Sequence, residues 1–167
     1  DVTSIEDEDL IEEEAVVITL THNGYIKRMP TSEFKSQNRG GRGVQGMGVH
    51  EGDFIEQLIS TSTHDELLFF TNTGKVYSSK GYQIPEYGRS AKGIPVINML
   101  NIDPDEKVAT VITVPKEDRD NPDKADKFLF FTTKNGVVKR TAVSEFQSGS
   151  KFQIRSGFCA ILKREFY

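Results

Sequence analysis

The sequence predicts an all-β chain of propeller-like blades, about four antiparallel strands each, in a ring left incomplete here. Three observations predict it. A strand–turn–strand phrase occurs three times, with turn glycines at Gly24, Gly74 and Gly136, 50 and then 62 residues apart. Each copy carries a threonine three residues before that glycine: Thr21, Thr71 and Thr133. Helical periodicity is almost absent between the copies.

The chain opens on DVTSIEDEDLIEEE, residues 1–14, with eight acids and no base. This run is expected to be a solvated acidic linker or a first edge segment. It could also act as an electrostatic competitor that keeps a basic body off the wrong polyanion. Starting at Asp1 rather than Met, the chain is expected to be a piece of a longer protein. Of 25 acids and 21 bases, removing those eight acids leaves 17, so the chain from Ala15 onward is about +4. The overall charge of −4 therefore hides a body compatible with nucleic acid.

From Ala15 the first unit reads AVVITLTHNGYIKR, two β-rich runs around Asn23-Gly24, a pattern that predicts a hairpin with a type I′ turn. The second copy is LLFFTNTGKVYS at 67–78 and the third FLFFTTKNGVVKR at 128–140. Ten residues after each turn glycine stands an apolar residue, Phe34, Ile84 or Phe146. Further on, each unit has a second glycine beside an apolar residue: Gly43-Val44, Gly93-Ile94 and Gly157-Phe158. Fifteen residues beyond it, strands are expected near Leu58 and Val108. The extra length of the third interval lies in PKEDRDNPDKADK, 115–127, which reads as a solvated loop. Units of about 15–65, 66–127 and 128–167 follow, the last stopping before its final strand. Together they form a partial domain over 15–167.

Several functions are excluded by the residues. No apolar run approaches the ~20 residues of a membrane helix. The single cysteine, Cys159, cannot form an internal disulfide, and no Cys/His cluster has metal-ligand spacing. Gly41, Gly43 and Gly46 fit G-x-G-x-x-G, but VHEGDF follows rather than a helix, so the dinucleotide fingerprint fails. His22, His50 and His64 are scattered and expected at the surface. Tyr25 and Tyr77 lie on predicted strands. No catalytic constellation is found, and no cofactor is expected in this segment.

What remains is a binding surface. Residues 37–48, QNRGGRGVQGMG, hold five glycines and two arginines. Glycine lets the backbone approach a ligand closely, and arginine supplies a planar fork of donors for phosphate. Basic residues recur at matching places: Lys27-Arg28, Lys75 and Lys139-Arg140 near the hairpins, then Arg39/Arg42, Arg89/Lys92 and Lys151/Arg155 near the second glycine. On blades these form a belt. A belt that bends duplex DNA needs many phosphate contacts and few base contacts. Binding would be sequence-independent and salt-dependent.

The box Gln37, Asn38, Arg39, Gly40, Gly41, Arg42 and Gly43, with THNGYIKR before it and TNTGKVY and TKNGVVKR after it, resembles the C-terminal domain of the DNA gyrase A protein. The resemblance covers about 2–147. It implies a six-bladed β-pinwheel that wraps DNA on its rim, in a bacterial cytoplasmic, nucleoid-associated enzyme. It also implies partners in the rest of the gyrase A protein and in the gyrase B protein, an A2B2 holoenzyme with ATP and Mg²⁺ bound elsewhere, and a cleaving tyrosine outside this chain. The family's usual box has arginine where Asn38 stands, and the match weakens from Ser148, which bears on Arg155. The corresponding topoisomerase IV protein has a similar domain but typically lacks an intact box. The alternative is a protein-interaction propeller without DNA binding. A small-molecule enzyme would need converging acids or histidines, and the sequence shows none.

Overall fold

The structure, a computed structural model, describes residues 7–35, 47–121, 127–133, 136–147 and 158–164. The box at 37–43 and Lys151 and Arg155 lie outside the described residues. The backbone forms three small antiparallel sheets and single-turn helices. The strands are β1 (Ala15–Thr21), β2 (Tyr25–Pro30), β3 (Ile55–Ser62), β4 (Glu66–Thr71), β5 (Val76–Lys80), β6 (Ile94–Pro95), β7 (Val108–Val114), β8 (Lys127–Thr133), β9 (Val138–Ala142) and β10 (Phe158–Arg164). The sheet orders are β3-β1-β2-β6, β5-β4-β7 and β10-β8-β9. The all-β blades of the sequence reading are present.

The chain divides into two compact units, Asp1–Asp65 with Lys80–Asn101, and Glu66–Ser79 with Ile102–Tyr167. The segment after β5 therefore joins the first unit, where β6 pairs with β2 (Tyr25↔Pro95, Ile26↔Ile94). Structural units and sequence repeats are thus offset. Gly93 makes the exchange possible. Its φ is +80°, and a Cβ there would overlap the carbonyl oxygen of Ile26, so only glycine fits.

The hairpins explain the repeated threonine. In the first, the Gly24 N–H donates to the Thr21 carbonyl (3.0 Å), and the Thr21 hydroxyl accepts from the Tyr25 N–H (3.0 Å). In the second, the Gly74 N–H donates to the Thr71 carbonyl (3.0 Å), and the Thr71 hydroxyl accepts from the Lys75 N–H (3.2 Å). Among the described residues only glycines have positive φ, so Asn23 does not supply the second positive φ of a type I′ turn. The loop is instead three residues closed by one left-handed glycine. The outer pairing slips by one residue at the same place in two repeats, between Leu20 and Thr21 and between Phe70 and Thr71.

The inner strands are buried on both faces, which is why AVVITLT and ELLFFT lack polar alternation. In the first unit Val17, Met29 and Met47 form a cluster, with Phe34 and Ile55 packed on it. In the second, Leu68, Phe70, Ile112, Val114, Leu129, Phe131, Val143 and Phe146 form the core. Phe70, Phe131 and Phe146 meet at centroid distances of 5.6–6.0 Å. The apolar residues placed ten after each turn glycine serve one purpose. Phe34 sits on α1 (Thr31–Lys35) and Phe146 on α4 (Ser144–Gln147); Ile84 follows a single 3-10 turn and is fully buried. A further one-turn helix, α2 (Val96–Met99), follows β6.

Three expectations need correction. The third unit does have an outer strand: β10 pairs with β8 from Phe158↔Thr133 to Arg164↔Lys127. The loop expected over 115–127 contains α3 (Lys116–Asp120), and Asp118 of that turn pairs with Lys127. The acidic segment keeps Asp9, Leu10, Glu12, Glu13 and Glu14 exposed, as a solvated run would, but its backbone at 12–14 is tied to the 62–64 turn. Glu14 and Thr63 exchange bonds (Glu14 N–H to Thr63 Oγ1 and Thr63 N–H to Glu14 O, both 3.0 Å), and Thr63 Oγ1 donates to the Glu12 carbonyl at 2.9 Å.

Candidate nucleic-acid interface

Cation spacing puts Lys27 on an exposed belt, and its burial corrects this: the residue is 2% exposed. Its ammonium donates to three backbone carbonyls of one loop, Gly88 (3.3 Å), Arg89 (2.7 Å) and Ala91 (2.6 Å). Three donors meet three acceptors, so the buried charge is fully solvated by protein. Burial first, and then the nearby Arg89, hold its pKa below the ordinary lysine value. Lys27 holds the 88–91 loop onto the first unit instead of facing solvent.

Arg28 is also largely committed within the fold. Its side chain is 12% exposed, its Nε donates to the Ile84 carbonyl (3.0 Å), and Nη1 lies 3.3 Å from Glu86 and 3.5 Å from Glu14. Lys75 is 43% exposed and bridges Asp103 (2.6 Å) and Glu106 (3.2 Å). Hydrogen bonds to these two carboxylates raise its pKa. Glu106 is buried; burial alone would raise its pKa, but donors from Thr73, Tyr77 and Lys75 outweigh that and lower it. Burial and the bond to Glu106 push the Tyr77 phenol up. This cluster locks the second hairpin tip.

The remaining predicted cations divide by exposure. Lys92, Lys139 and Arg140 are exposed, and the Arg140 guanidinium lies 4.4 Å from the Phe128 ring centroid. Arg89 is partly buried, with Nε and Nη1 shielded from solvent. Of the histidines, His22 stacks on Phe54 at 4.9 Å and His50 lies 4.1 Å from Tyr25. His64 is not at the surface as expected. It is buried, its Nε2 is 2.7 Å from the Ile11 carbonyl, and its Nδ1 is 3.9 Å from both Glu8 and Glu13.

Although the box itself lies outside the described residues, the residues flanking it are placed. Phe34 on one side and Met47 on the other pack into the same apolar cluster. Both flanks of the box are thus held by one cluster, Phe34 before it and Met47 after it. Next, the Gly48 N–H donates to the Arg89 carbonyl (2.9 Å), and a Cβ on Gly48 would overlap the Ser90 carbonyl oxygen. The first repeat's glycine–arginine segment therefore ends on the second repeat's counterpart, the loop 88–92. Sequence reasoning aligns these segments but does not foresee their contact; the obligatory glycine at 48 is the available signal. Among the described residues no group of three or more metal-ligating side chains is found, and no helix is long and apolar enough to cross a membrane.

Known proteins share this repeat pattern and fold. The family described as "DNA gyrase C-terminal domain, beta-propeller" matches residues 15–62, 65–115 and 127–151, the three sequence repeats in turn. The chain belongs to this DNA gyrase C-terminal domain family. Family members similar in sequence include the DNA gyrase A protein of Streptococcus pneumoniae serotype 4, 61% identical over 145 residues, covering 87% of this chain and 17% of that protein. Another is the DNA gyrase A protein of Halalkalibacterium halodurans, 53% identical over 160 residues, covering 96% of this chain and 18% of that protein. The chain thus spans about a sixth of the length of these relatives. Among solved structures, a DNA gyrase A C-terminal domain aligns with TM-score 0.63 at 28% identity, over 83% of this chain and 43% of that one. The C-terminal domain of a DNA topoisomerase IV aligns with TM-score 0.70 at 22% identity, over 91% of this chain and 46% of that one, and shows the same fold.

Proposed function

We propose that this chain binds and wraps duplex DNA along a basic rim, largely without sequence preference, as part of a bacterial DNA gyrase. In that enzyme the wrapped segment would be presented for strand passage, and ATP hydrolysis would drive negative supercoiling. The gyrase B protein and the rest of the gyrase A protein would supply the ATP and Mg²⁺ sites and the cleaving tyrosine, in an A2B2 assembly within the cytoplasm. This segment would contribute no catalytic group.

The observation that carries the proposal is the meeting of Gly48 with the Arg89–Ala91 backbone. It brings the end of the glycine–arginine segment against its counterpart in the second repeat, as a continuous phosphate path would require. Exposed Lys92 extends the path at that loop, and Lys139 and Arg140 are exposed on the third repeat. The expected box contacts, Gln37 to Gly43, and Arg155 would complete it. Lys27, Arg28 and Lys75 would serve it through shape and field.

Salt dependence tests this. If ~6 phosphates are neutralised, affinity of the full-length protein for a duplex of unrelated sequence should fall about 10³-fold between 50 and 200 mM salt. Affinity that is flat with salt, or no duplex binding at all, would refute the proposal.

A further inference from the structure

The Lys27 ammonium draws the Gly88, Arg89 and Ala91 carbonyls toward the protein interior. In a trans peptide the N–H points opposite to the C=O. The N–H groups that follow the Arg89 and Ala91 carbonyls, those of Ser90 and Lys92, are therefore turned away from Lys27. Ser90 and Lys92 are both exposed. The Ala91 N–H between them donates to the Gly88 carbonyl (3.1 Å), which leaves the Ser90 and Lys92 N–H groups as two separate outward donors beside a cation, a combination that attracts an anion. The same clamp orients the Arg89 carbonyl that receives the Gly48 N–H, at the end of the glycine–arginine segment.

We propose that Lys27 is a positioning residue for phosphate binding. It contacts no DNA itself, but sets the 88–92 loop so that the Ser90 and Lys92 amides and the Lys92 ammonium hold a backbone phosphate, and it seats Gly48 beside them. Among the described residues the clamp is seen in the first repeat. Three residues past the turn glycine, the second repeat has Tyr77, which donates to Glu106 (2.9 Å), and the third has Lys139, which is exposed. The inference rests on the DNA-wrapping function proposed above.

The test uses the full-length protein reconstituted with the gyrase B protein. First, lysines of the wild type are acetylated with and without duplex DNA. Lys92 should react in the free protein and be protected by DNA, whereas Lys27 should stay unreactive in both. Second, Lys27→Met, which keeps the stem and removes the ammonium, should speed amide exchange about tenfold or more around Gly48 and 88–92, leaving β1 and β4 unchanged. Third, Lys92→Ala should lower the slope of log affinity against log salt by about 0.9 in the wild type and add nothing in Lys27→Met. Lys27 reactive when free and protected by DNA would make it a direct contact and overturn the proposal. So would unchanged exchange at Gly48, or additive effects of the two substitutions. Wild-type protein that fails to bind duplex would overturn both this proposal and the function it rests on. If Lys27→Met does not fold, the acetylation result decides alone.

Discussion

Arg39→Ala combined with Arg42→Ala is expected to abolish DNA wrapping by the full-length protein while shifting the melting temperature by no more than about 2 °C. Hydrogen bonds from arginine to charged acceptors contribute roughly 1.5–3 kcal/mol each, so losing both forks should weaken binding at this segment by two orders of magnitude or more. The salt slope should fall by about 1.8, at ~0.9 per lost phosphate contact. Stability should change little because the described anchors of the segment lie at its ends, where Phe34 and Met47 share one apolar cluster and Gly48 bonds to Arg89. These anchors stay intact in the variant. Supercoiling by the reconstituted enzyme serves as the functional readout and melting as the control. A large loss of stability with wrapping retained would make the two arginines structural.

Gly93→Ala is expected to be strongly destabilising to the first unit. A non-glycine residue in left-handed conformation costs roughly 1–2 kcal/mol. The added Cβ also overlaps the Ile26 carbonyl oxygen, backbone that cannot step aside without opening the β2–β6 pairing. Together these should cost about 3 kcal/mol or more. The loop 88–92 immediately precedes Gly93, so DNA binding should fall along with stability. By contrast Gly52→Ala, also at positive φ (75°) but with no atom near its Cβ, should show only the conformational cost. Urea denaturation of both variants separates the two contributions. Equal losses would mean the close approach at Gly93 carries no weight.

The parts of this molecule that are legible in the sequence are local. The threonine–glycine pairs mark the hairpins because Thr21 and Thr71 each cap their own turn within four residues. Phe34, Ile84 and Phe146 mark the blade core because the fold repeats. The turn type is not legible, since Asn-Gly suits two loop geometries and strand twist chooses between them. Burial of Lys27 is not legible either. A lysine in a strand reads as surface, and its three acceptors lie 61 to 64 residues away. His64 escapes for the same reason, with its carbonyl partner 53 residues earlier at Ile11. The strand β10 escapes because the insertion before β8 and the altered spacing after Ser148 hide its register against β8. A belt read from cation spacing is therefore too simple. Spacing identifies equivalent positions in a repeat, but pairing with Glu14, Glu86, Asp103 and Glu106 decides which cations face solvent.

The proposed function requires that DNA be wrapped, not merely bound. A nicked circular duplex sealed by ligase in the presence of the full-length protein, then stripped of protein, reports wrapping directly. Wrapping predicts a shift in linking number that grows with protein, is independent of DNA sequence, vanishes at high salt and is lost in Arg39→Ala with Arg42→Ala. Binding that leaves the linking number unchanged at saturating protein and low salt would contradict it.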